Sequence, residues 1–173
     1  HRLEIDSELE LSNAEIKSSE NSSEYSESIL KKLSSDGHRN SLIIMRVQKL
    51  IEEHERILIF AVNVAHARVI NSLLNFSGIK SAVVTSHTEE LERKRAILMF
   101  KEKGGQPMVL CNYGVLTTGF DAPLTSAAII SRPTKSLVLY SQMVGRVIRG
   151  PRVGGTPEAE IWTVIDTNLP GFD

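Results

Sequence analysis

From residue 40 onward the apolar positions switch between two spacings. Ile43, Val47, Leu50, Ile51 and His54 recur at helical intervals, and residues 57–62 follow as a continuously apolar run of strand length. Ala65, Val69, Leu73 and Phe76 form the next helical stripe, and Gly78 stands where a left-handed C-terminal cap is wanted. A second strand is predicted over 79–84. Ser86 with Glu89 three residues later has the form of a capping box, opening a helix through Ala96, Ile97 and Phe100 that stops before Gly104. Residues 107–111, 126–131 and 161–165 read as three further short strands, with a helix over 136–149 closed by Gly150 and Pro151. Strands alternating with helices in this way predict right-handed crossovers. The fold class is therefore α/β, a three-layer arrangement with a mostly parallel sheet and helices on both faces. Ligands of such sheets bind beyond the carboxyl ends of the strands, so the informative loops are those after Val62, Val84, Cys111, Ser131 and Ile165.

Residues 1–39 have a different character, with ten serines between Ser7 and Ser35, many glutamates and no proline before residue 37. Leu3/Ile5 and Leu9/Leu11 are each spaced as in a half-buried strand, while Tyr25, Ile29, Leu30 and Leu33 follow helical spacing. This segment reads either as an interdomain linker or as a docked hairpin plus helix, ahead of a domain over 40–173. The chain opens on His1, as expected of a piece of a longer protein.

At 173 residues with 41% hydrophobic content, one core is expected, without help from disulfide or metal. The single Cys111, within an apolar run, reads as a buried thiol of an intracellular protein. The five histidines and Cys111 lack ligand-like spacing, so no metal site is expected. No apolar run nears the roughly 20 residues of a membrane span, and a cytoplasmic location is expected. A net charge of −1 neither favours nor excludes nucleic acid. Contacts to a phosphate backbone through hydroxyls and main-chain amides add no charge.

The most specific stretch runs from Gln142 to Arg149. Gln142, Arg146 and Arg149 lie at i, i+4 and i+7 on one helical face, while Met143, Val144, Val147 and Ile148 fill the other directions. Two guanidiniums and an amide converge along one edge, and Gly145 leaves backbone bare for close approach. Guanidinium binds phosphate oxygens as a planar fork and suits the charge that develops on a transferred γ-phosphoryl group. Any one arginine alone reads better as solvated surface; the pattern, on a core-anchored helix, points to catalysis. A second stretch, residues 115–123, follows the third strand. Thr117 and Thr118 can hold a backbone phosphate, Gly119 permits a turn, and Asp121 can accept from a ribose hydroxyl. An ordinary turn with Asp121 capping its own backbone accounts for it as well.

ILIFAVNVAHA, VLTTGFDAP and QMVGRVIR together resemble motifs IV, V and VI of superfamily-two helicases, in order and with the usual separation. The resemblance covers about residues 40–167. Motif V and the 132–136 loop look most like the bacterial RadD-like DEAD/DEAH-box group, with type III restriction motor subunits nearby. It implies a RecA-like second motor domain of an ATP-dependent DNA helicase or translocase, with RNA left open. Arg146 and Arg149 would reach the γ-phosphate and Gln142 would help place water. Gly119, Asp121 and Gly145 would contact ATP. Asn63, Thr117 and Thr118, with Ser86, His87 and Lys135 as weaker candidates, would contact nucleic acid. The sequence contains neither a phosphate-cradling G-x-x-x-x-G-K-[ST] nor a D-E-x-[HD] tetrad. ATP and Mg2+ are thus expected mainly on an upstream RecA-like domain, and this segment alone is expected to be inactive. The alternative is a degenerate, helicase-like scaffold that binds nucleic acid or a partner without turnover.

Overall fold

A computed structural model describes residues 1–7, 9–115, 124–148 and 158–170. Six strands, β1 (Arg2–Ile5), β2 (Arg56–Phe60), β3 (Ser81–Thr85), β4 (Met108–Tyr113), β5 (Ala127–Ile130) and β6 (Glu160–Asp166), form one sheet in the order β1-β6-β5-β2-β4-β3. Every pairing is parallel. β2 lies between β4 and β5, with Ile59 in register with Cys111 on one side and Ile129 on the other. All of β2 and β5 is buried, as expected when helices cover both faces of a parallel sheet.

Period-two alternation divides the core into two layers. Ile57, Ile59, Val109, Cys111, Ala127 and Ile129 face α3 (Gly37–Leu50) and α4 (Val64–Phe76). Leu58, Phe60, Met108, Leu110, Ala128 and Ile130 face α5 (Glu90–Lys101) and α6 (Leu137–Val147). Gly78, φ 78°, takes the left-handed conformation expected after α4.

Three local expectations are corrected. The capping box at Ser86 and Glu89 does not form: α5 begins at Glu90, and Glu89 makes no side-chain cap bond. The Thr88 hydroxyl instead accepts from the Thr85 amide at 2.8 Å, closing a tight turn before the helix starts. His54 lies beyond the end of α3, so it is not on that helix's face. Leu3 and Ile5 do belong to a strand, yet no hairpin follows. β1 pairs parallel to β6 at the sheet edge, and Leu9 and Leu11 pack instead on a small cluster of Tyr25, Ile29, Leu33 and Leu169. That cluster docks α1 (Asn13–Asn21) and α2 (Glu27–Ser35) beside the sheet. The Ser12–Glu15 capping box starts α1, and Glu15 also binds Lys32 at 2.8 Å and Ser28 at 2.5 Å, joining the two helices.

Candidate active site at the carboxyl edge of the sheet

Beyond the carboxyl ends of β2 and β4 lies a cavity of 110 Å3 bordered by Ala61, Asn112, Gly114, Arg132 and Gln142. Its floor is rigid. The Asn112 amide donates to the Ile59 carbonyl at 3.0 Å, and the Ser131 hydroxyl donates to the Phe60 carbonyl at 2.7 Å, tying three neighbouring strand ends together. The chain leaves β4 through Gly114, φ 72°, a conformation that strains any residue with a Cβ. A Cβ there would lie 3.6 Å from the Ser86 Oγ, so the loop after β3 abuts the start of the loop after β4. The Arg132 guanidinium stands 5.2 Å from the centre of the Tyr113 ring, within cation–π range.

α6 supplies the wall that carries the predicted chemistry. Ser136 caps it, its hydroxyl accepting from the Leu139 amide at 3.2 Å. Met143 and Val147 are buried against the sheet, which leaves Gln142 exposed at the cavity and Arg146, one turn on, half-buried. Gly145 is exposed, and a Cβ at that position would meet nothing within 4 Å. Beside Gln142, Leu137 and Val138 are 79% and 69% exposed, an apolar surface on the first turn.

The fold brings several predicted residues to this one edge. Asn63 opens α4, its side-chain oxygen accepting from the His66 amide at 2.8 Å, so its carbonyl is committed to capping. Ser86 and His87 are exposed on the loop after β3. Lys135 departs from expectation: its ammonium donates to the Ser19 carbonyl and lies 5.0 Å over the Tyr25 ring, engaged by the N-terminal segment. Thr117, Thr118, Gly119, Asp121 and Arg149 lie outside the described residues.

Two buried networks under this edge escaped the sequence reading. The Val62 amide donates to His66 Nδ1 at 3.1 Å, which leaves Nε2–H to donate to Asn40 Oδ1 at 2.9 Å, while the Asn40 amide donates to the Ser34 carbonyl at 3.1 Å. Burial, and after it the Arg39 charge, pulls the His66 pKa down to about 3, so this imidazole is a neutral strut. Arg39, fully buried, donates to Asp166 at 2.7 and 3.0 Å and to the Ser131 carbonyl at 2.6 Å. The ends of β2, β5 and β6 and the starts of α3 and α4 are thereby held in fixed relation.

At the opposite, amino edge, His54 contacts Ser126 and Glu160, each at 2.9 Å, and Glu53 lies close enough for a three-ligand cluster. The sequence spacing gave no sign of this grouping, because Glu160 is 106 residues from His54. Among the described residues, no helix is long and apolar enough to cross a membrane.

A family model described as the helicase conserved C-terminal domain matches residues 23–151. IRC3 of Saccharomyces cerevisiae is 40% identical over 92 residues, covering 53% of this chain and 13% of IRC3. The ATP-dependent DNA helicase uvsW of Enterobacteria phage T4 is 25% identical over 129 residues, covering 75% of this chain and 25% of that protein. The crystal structure of T4 UvsW superposes with a TM-score of 0.65 at 22% identity, over 83% of this chain and 30% of UvsW. Domain 2 of the DEAD-box helicase Mss116p, solved bound to an RNA duplex, gives 0.60 at 18% identity over 74% of this chain and 50% of that one. At these identities the superpositions show the fold, a RecA-like helicase C-terminal domain. The match to IRC3 and uvsW spans a quarter or less of either relative's length. With most of its length, from residue 23 to residue 151, matched by that model, the chain belongs to the helicase conserved C-terminal domain family.

Proposed function

We propose that this domain is the second motor lobe of an ATP-dependent DNA helicase or translocase of the RadD-like group, with Arg146 and Arg149 as its arginine fingers. The carrying observation is that Gln142 borders the cavity at the carboxyl edge while Arg146 follows one turn later on the same helix. The residues fit half of a nucleotide site. At 110 Å3 the cavity is far below the roughly 300–1,000 Å3 of a complete small-ligand pocket. Among the described residues its polar lining includes Gln142, Asn112 and Arg132 and no carboxylate that could hold Mg2+. This reading assigns the phosphate cradle and the metal ligands to a preceding RecA-like lobe, and the exposed Leu137 and Val138 suit a surface that such a lobe covers.

In this reading the preceding lobe binds ATP, and closure of the two lobes brings Arg146 and Arg149 to the γ-phosphoryl group. Their fixed charge interacts most strongly with the charge that develops in the transition state, and Gln142 orients the attacking water. Asn63, Ser86 and His87, joined by Thr117 and Thr118, would line the DNA groove. Gly119, Asp121 and Gly145 would face the nucleotide. Opening and closing of the cleft then moves these contacts relative to those on the other lobe.

The test is ATP hydrolysis by the full-length protein with and without DNA. Arg146→Ala and Arg149→Ala are each expected to lower kcat by about 10³-fold while ATP binding persists. Wild-type turnover in both variants would falsify the finger assignment. A full-length protein that binds DNA yet hydrolyses no ATP would instead be a scaffold.

A further inference from the structure

The turn between α1 and α2 reaches across to the start of α6. Glu24 Oε1 accepts three hydrogen bonds there, from the Thr134 hydroxyl at 2.6 Å, the Lys135 amide at 2.9 Å and the Ser136 amide at 3.1 Å. The grip is reciprocal, since the Lys135 ammonium returns to the Ser19 carbonyl and packs over Tyr25. The Tyr25 hydroxyl donates in turn to the Pro170 carbonyl at 3.0 Å, which anchors the same turn to the chain beyond β6.

Glu24 is not needed to start α6. Ser136 already caps that helix through Leu139, and the amides Glu24 receives lie at and before the cap residue. Apolar packing by the first two helical residues does not hold this end either, because Leu137 and Val138 are exposed. Leu139 and Tyr140 pack on the core, and the Tyr140 hydroxyl meets the Thr163 hydroxyl at 3.0 Å; ahead of them, what ties down residues 134–136 at the amino end of α6 is a carboxylate from 110 to 112 residues earlier in the chain. α1 and α2 form a stiff base for it, tied through Glu15, Ser28 and Lys32.

We propose that Glu24 is a positioning residue for the motor reaction: it pins the amino end of α6 and so sets where Gln142 and Arg146 present their side chains. This inference rests on the motor reading above. It gives the α1–α2 segment a role in turnover besides completing the fold. A helix tilted about its packed Met143–Val147 end shifts Gln142 and Arg146, and misplacement of about 1 Å can cost up to about 10²-fold in rate.

The experiment uses the full-length protein and measures DNA-stimulated ATPase beside the thermal midpoint. Glu24→Ala is expected to lower kcat about tenfold with KM for ATP changed less than about twofold, because the nucleotide is held mainly on the other lobe. Glu24→Gln keeps an oxygen acceptor at Oε1 and is expected to recover most of that loss. Tyr25→Phe removes the anchor to Pro170 but not the bonds to α6, and is expected to lower the midpoint without lowering kcat. Unchanged kcat in Glu24→Ala overturns the proposal, as does an equal loss in Tyr25→Phe, which would mean general loosening. If Glu24→Ala does not fold, Thr134→Val removes one donor from the other side, and a wild-type kcat there overturns the proposal equally. Absence of DNA-stimulated ATPase in the unsubstituted protein is a distinct outcome that removes the motor reading and this inference with it.

Discussion

Gly145 occupies an exposed position inside α6, where glycine costs a helix roughly 0.5–1 kcal/mol relative to alanine. Among the described residues, a Cβ there would meet no atom within 4 Å outside its own helix. A bare backbone at that point suits the close approach of the nucleotide in the proposed function. Gly145→Ala is therefore expected to leave the unfolding midpoint in urea unchanged or slightly raised while lowering the ATPase of the full-length protein. Full activity in that variant would remove Gly145 from the nucleotide-facing set. Other single residues were legible to different degrees. Gln142 and Arg146 stood out because an amide and a guanidinium recur at helical spacing beside apolar anchors. Lys135 read as an open cation, because its partners, the Ser19 carbonyl and the Tyr25 ring, lie more than 100 residues earlier.

Between elements, the decisive contact is the buried ion pair that joins α3 to β6. Arg39 and Asp166 have fully buried side chains and meet through two hydrogen bonds, with a third from Arg39 to the end of β5. Removing one partner leaves an uncompensated charge in the interior. Arg39→Ala is expected to lower the urea unfolding free energy by about 3–5 kcal/mol. A loss under about 1 kcal/mol would mean that solvent reaches Asp166 once the guanidinium is gone. From α3 onward the helices and strands themselves were legible to within a few residues, because their apolar periods are set by local geometry, whereas α1 carries too few apolar residues to show one. This pair was not, since an arginine near a helix start reads as surface and its acid lies 127 residues away.

For the molecule as a whole, His66 links stability to pH. The native protein holds its pKa at about 3, against an ordinary 6.5, so the unfolded chain takes up a proton that the folded one refuses. The stabilisation from keeping this ring neutral is complete above about pH 6.5 and is lost as pH falls from there toward 3, by about 1.4 kcal/mol per unit. Glu15 acts lower down. Lys32 first, then Ser28, lower its carboxyl from 4.5 to about 2, so its contribution is present above 4.5 and fades below. Urea denaturation between pH 6.5 and 5 therefore isolates the histidine. Wild-type stability should decline across that window and His66→Gln should flatten the decline; parallel profiles would show that the ring is not excluded from protonation.

Sequence alone determined the class of fold and the five strands β2 to β6 with the helices between them, and it marked out the two motif-bearing stretches from residue 115 to 123 and from 142 to 149. These rest on local rules: period two or 3.6 for elements, glycine where φ is positive, and polar groups one turn apart on a helix. Tertiary structure alone decided that Arg2–Ile5 completes the sheet beside β6, that Gln142 borders the cavity at the edge already expected to carry Asn63 and Ser86, and that Glu24 seats on the start of α6. Each of those pairings joins segments far apart in the chain. A strand's edge partner, or a carboxylate's distant amide, leaves no periodic trace in the residues that make it, because its energy arises only when the whole sheet has closed.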